Sequence, residues 1–107
     1  MDRRLIGAHV AAALVLIATA AQAQDISAGR QIAQTWCSGC HNIDSQEQKT
    51  GSDAVPSFPA IAQINSTTTM SIAAFLSSPH AGMPNYVLSR TEILNLSVYI
   101  LSLRKTR

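Results

Sequence analysis

The chain contains two cysteines, Cys37 and Cys40, three positions apart and followed directly by His41 in the run Trp36-Cys37-Ser38-Gly39-Cys40-His41. Three chemistries use such a group. In the first, the two thiols add to the two vinyl groups of a haem as thioethers, and the next histidine becomes the proximal iron ligand. The second is thiol redox chemistry, for which Trp-Cys-x-x-Cys is also a known wording. That site follows a strand and opens a helix, whereas Gln24 to Trp36 reads as helix and leaves little room for a strand. The third is a structural zinc site, which needs four ligands, and only His80 remains to complete Cys37, Cys40 and His41. Haem attachment fits the residues best.

An iron held by one histidine needs a second axial ligand, or it stays open for chemistry. Met83, Met70 and His80 are the candidates beyond residue 23. Met70 falls inside a helical pattern, where a thioether ordinarily fills gaps in a core. Met83 lies between Gly82 and Pro84, in a loop able to approach a haem closely. His80 reads as a surface or haem-edge residue. Asn85 and Tyr86 follow closely enough to orient the sulfur or the haem carboxylates. Met83 is the preferred ligand.

These residues need a scaffold, and the chain offers a small one. Its 107 residues allow one domain, and the apolar content of 47% is concentrated toward the N-terminus. Arg3 and Arg4 precede an apolar stretch from Val10 to Ala21, and Ala21-Gln22-Ala23 places small residues where a signal peptidase cuts. Leu5 to Ala21 falls short of the ~20 apolar residues that a spanning helix needs. Residues 1–23 therefore read as a cleaved secretory signal and 24–107 as the exported domain, with no stable membrane insertion after cleavage. A net charge of +2, with no basic stripe carrying interleaved aromatics, argues against nucleic-acid binding. Two cysteines cannot build a disulfide scaffold, so a domain this size needs another staple, and a bound haem would supply it.

A helix is expected from Asp25 to Trp36, capped by Asp25 or Ser27, with Gly29, Ala33 and Cys37 sharing one face. Asn42 to Val55 is polar and aperiodic and reads as a surface loop; Pro56, Phe58 and Pro59 read as its continuation. Thr67 to Ser77 is expected to be a short helix with an Ile72, Phe75 and Leu76 stripe, ended by Pro79. Ser89 and Glu92 form a capping-box pattern ahead of Ile93, Leu96, Ile100 and Leu103 at helical spacing. Arg104, Lys105 and Arg107 follow as a solvated, basic helix terminus.

From residue 25 to 103 this pattern resembles the small bacterial class I c-type cytochromes. The resemblance implies an all-α fold of three to five helices wrapped around one covalently attached haem c, with the N- and C-terminal helices crossing. It implies that Gly29 lets the last helix approach, against Leu96 and Tyr99. It gives the Pro56 backbone carbonyl, with Pro59 as the alternative, the task of accepting the proton on the far nitrogen of His41. Met83 takes the opposite face of the iron, and Phe58, Ile61, Phe75, Leu96 and Tyr99 screen it from water. The function implied is that of a periplasmic one-electron carrier between a donor and an acceptor redox protein, not an enzyme. A haem enzyme or gas-binding protein with an open sixth site, and a dedicated subunit of an oxidoreductase complex, are the alternatives.

Overall fold

The computed structural model describes residues 24–46, 55–78 and 82–106. The expected signal at 1–23, and the candidate ligand His80, lie outside these. The described residues form four helices and no strand: α1 (Ile26–Ile32), α2 (Phe58–Gln63), α3 (Thr69–Leu76) and α4 (Arg90–Ser102). α1 runs on into a π-helical turn, Ala33–Cys37.

Each helix starts where a side chain satisfies its first free N–H groups. The Asp25 carboxylate accepts from Ala28 N at 3.0 Å, and Ser57 Oγ accepts from Ala60 N at 3.1 Å. Thr68 and Ser71 exchange reciprocal bonds at the start of α3, and Ser89 and Glu92 do so at the start of α4. Thr68 is therefore the α3 cap, and the helix is shorter at both ends than the sequence pattern implied.

The principal packing is α1 against α4. Gly29 makes it possible. A Cβ there would run into the Asn95 carbonyl oxygen and lie 2.6 Å from Asn95 C and 2.8 Å from Tyr99 Cβ. The helices thus meet backbone to backbone, as expected for the glycine and Tyr99; its nearest neighbour is Asn95, where Leu96 had been expected. Asn95 Oδ1 also accepts from Asp25 N at 2.9 Å, clipping the start of α1 to α4. Leu96, Tyr99 and Ile100 form the core with Ala33, Cys37, Ile43, Phe58, Ala62 and Ile72.

Several expectations are corrected. Pro56 to Pro59 is not all loop: Pro59 sits in the first turn of α2, where a missing N–H costs nothing. Ile43, expected in a surface loop, is fully buried and accepts the Tyr99 hydroxyl proton at 2.6 Å. Phe75 is 56% exposed and Met70 81% exposed, whereas Ile72 lies in the core with Leu76 packed against it. Arg104 is not a free terminal charge. Its guanidinium donates to the carbonyls of Ala62 (2.6 Å), Ile64 (3.2 Å) and Thr67 (2.8 Å), tying the chain end to the α2–α3 turn. No helix among the described residues is long and apolar enough to cross a membrane.

Candidate haem site

The π turn places the first cysteine. Ser38 N reaches back five residues to Ala33 O at 2.9 Å, while the hydroxyls of Thr35 and Ser38 donate to Gln31 O and Gln34 O. Side-chain donors of this kind satisfy carbonyls where the regular ladder is disturbed. Cys37 ends the turn buried, and its carbonyl then accepts from both Cys40 N (3.1 Å) and His41 N (2.9 Å). That reversal leaves Cys40 exposed and delivers His41 to the next segment. Both thiols are free.

His41 is held from across a loop. Its Nδ1 lies 2.7 Å from the Pro56 carbonyl oxygen. A carbonyl only accepts, so Nδ1 carries the proton and Nε2 keeps its lone pair. This is the state in which an imidazole ligates a metal, and the hydrogen bond behind it fixes the ring. Phe58 N donates to Asn42 O at 2.8 Å and keeps the two segments in register. The Phe58 ring lies 5.3 Å from the His41 ring. Of the two prolines, it is Pro56 that meets His41, while Pro59 is used to open α2.

Met83 and Cys37 line one narrow cleft of about 20 Å³, whose apolar walls include Trp36, Leu76, Pro84, Tyr86, Leu88 and Leu96. His41, Cys40 and Pro56 are not on its walls. Trp36 and Tyr86 meet across it with ring centroids 5.2 Å apart. That contact was not anticipated. From the sequence, Trp36 reads only as part of the cysteine motif, and Tyr86 as a residue able to orient the methionine sulfur or the haem carboxylates.

The other two chemistries fare poorly. Burial pushes the Cys37 thiol up to about 11, whereas a redox cysteine needs a lowered value and an electropositive setting. The segment before it is helix, not strand. Among the described residues no three His, Cys, Asp or Glu side chains converge on a point that could hold a metal ion, so Cys37, Cys40 and His41 do not form a zinc corner. Haem attachment asks for less: two free thiols in a turn, an adjacent imidazole with an open Nε2 and an apolar cleft nearby. The residues present fit that group.

A helical chain whose first and last helices meet at a glycine, with paired cysteines and a histidine in the turn between, has the architecture of a c-type cytochrome. The chain is 35% identical over 104 residues to cytochrome c-552 of Bradyrhizobium diazoefficiens, covering 97% of this chain and 99% of that protein. It belongs to the small c-type cytochromes, electron-transfer proteins that carry covalently bound haem c. No family model matches the chain, and no solved structure does.

Proposed function

We propose that this cytochrome is a periplasmic one-electron carrier, exported with removal of residues 1–23, that holds one haem c through Cys37 and Cys40 with His41 and Met83 as axial ligands. The observation that carries the reading is the 2.7 Å bond between His41 Nδ1 and Pro56 O. It commits the imidazole to one tautomer and one orientation, an arrangement without use in a thiol site.

Haem c supplies one iron that gains and loses a single electron. The chain's part is to keep that iron's surroundings alike in both states. The Pro56 carbonyl prevents the His41 ring from turning, and the Phe58 ring packs beside it. The Met83 thioether, a soft ligand, favours Fe(II) and so raises the potential. Leu76, Leu88 and Leu96, on the cleft walls, exclude water. His41 and Met83 would both hold the haem iron, which would leave no position open for a substrate. Electron transfer to a partner then requires no ligand exchange and little rearrangement.

The test is to determine the mass of the exported holoprotein and its redox titration. The account expects a chain starting at Gln24 with one haem, lost when Cys37 and Cys40 are both changed to Ser, and a one-electron curve. A mature protein that retains residues 1–23, or one without covalent haem, would overturn it. Copurification in fixed stoichiometry with an oxidoreductase would replace the free carrier by a dedicated subunit.

A further inference from the structure

We propose that Trp36 and Tyr86 form an aromatic clasp that positions the Met83 loop against the attachment helix, and so sets how firmly the Met83 sulfur is held as a ligand. The inference rests on the assignment of Met83 made above. The two rings lie 5.2 Å apart at 44°, within the range in which aromatic pairs attract beyond their burial. Trp36 directly precedes Cys37, and Tyr86 follows Met83 by three residues. All four line one cleft. The clasp therefore joins the segment that carries one cysteine to the segment that carries the methionine.

The loop is irregular. Residues 82–89 contain neither helix nor strand. Within them Leu88 N donates to Tyr86 O at 3.1 Å. Gly82, at φ +81°, supplies a turn that only glycine adopts readily. Two side chains of the loop help to place it: Leu88 against the core and Tyr86 against Trp36. The π turn explains why Trp36 is available. An extra residue in that turn makes Trp36 and Cys37 leave the helix at an azimuth that an uninterrupted α-helix would not give them. Trp36 is 49% exposed, so one face is left over when the other meets Tyr86, and its contribution to the core is small. Trp36 and Tyr86 are positioning residues: they act on the iron only through Met83.

Displacing the sulfur with an outside ligand requires the loop to swing away and break the clasp. Imidazole titrated into the ferric holoprotein, followed by loss of the far-red iron–sulfur band, therefore measures its strength. Trp36→Ala and Tyr86→Ala are each expected to tighten apparent imidazole binding about three- to tenfold. The double variant should gain little over either single one, because both remove the same contact. Trp36→Phe, which keeps a ring, should stay within about twofold of wild type. Should Trp36→Ala fail to fold, Tyr86→Leu reads the same quantity from the loop side. Unchanged imidazole affinity in the truncated variants would overturn the clasp even if their melting temperatures fell, and so would fully additive effects. A wild-type protein with no far-red band, binding imidazole without displacing a ligand, has a different signature: there the Met83 assignment itself fails, and the clasp with it.

Discussion

The Tyr99 hydroxyl shows how much one buried polar atom does here. It donates at 2.6 Å to Ile43 O, fastening the segment after His41 onto α4. Tyr99→Phe leaves that carbonyl buried without its donor, a loss of about 1–3 kcal/mol. The same residue couples stability to pH. Burial raises its ionisation above the ordinary value of 10, so the unfolded chain gives up this proton at a lower pH than the folded one. Stability from this group is thus complete below pH 10 and declines as pH rises beyond it. Urea unfolding at pH 7 and at pH 11 should show a decline in the wild type that is smaller in Tyr99→Phe; equal declines would remove Tyr99 as the cause. Arg104 works by the same logic, with three carbonyls on one guanidinium. Arg104→Ala should cost about 2–3 kcal/mol by the same measurement, whereas Lys105→Ala, on an exposed side chain, should cost almost nothing.

Between elements, the crossing of α1 with α4 depends on the absence of one side chain. Gly29→Ala gains up to about 1 kcal/mol of helix propensity, but its Cβ would strike the Asn95 backbone and crowd Tyr99. Backbone atoms cannot step aside, so the helices must separate. A net loss of about 2–3 kcal/mol is expected, within the range for overpacking, and thermal melting of the holoprotein checks it. Wild-type stability in Gly29→Ala would mean that the crossing tolerates a wider spacing. The two helices were legible beforehand because helical spacing and caps are written locally, whereas their crossing at Gly29 was expected only from the resemblance to the c-type cytochromes. The Ser89–Glu92 box and the cysteine–histidine turn were legible too. The π turn was not, because Ala33 to Cys37 differs from an α-helical stretch only in which carbonyl each N–H selects. α2 was hidden by Pro56 and Pro59, which punctuate loops and open helices with equal ease. Ile43 carried no periodic neighbours to reveal its burial, and Arg104 found its acceptors only once α2 and α4 had been brought together. The bond from His41 to Pro56 spans 15 residues, with no local signature to distinguish one proline from the other.

At the scale of the whole molecule, the chain is weakly charged. Residues 1–23 carry one of its two net positive charges, and beyond them Lys49 and Lys105 are the only lysines. No lysine ring can surround the haem edge, so long-range steering toward a partner should be weak. Reduction by a partner protein should slow less than about threefold between 20 and 200 mM salt; a steep fall would point to a charged docking face. The central proposal is narrower: His41 and Met83 would both ligate the iron, which would leave the molecule an electron carrier and nothing more. The optical spectrum of the exported protein, oxidised and reduced, with and without carbon monoxide, tests it most directly. The account predicts a c-type reduced band, a weak far-red iron–sulfur band in the oxidised form, and no response to carbon monoxide at neutral pH. Reduced bands that shift with carbon monoxide would contradict it, and would make the protein one that binds a gas or turns over a substrate.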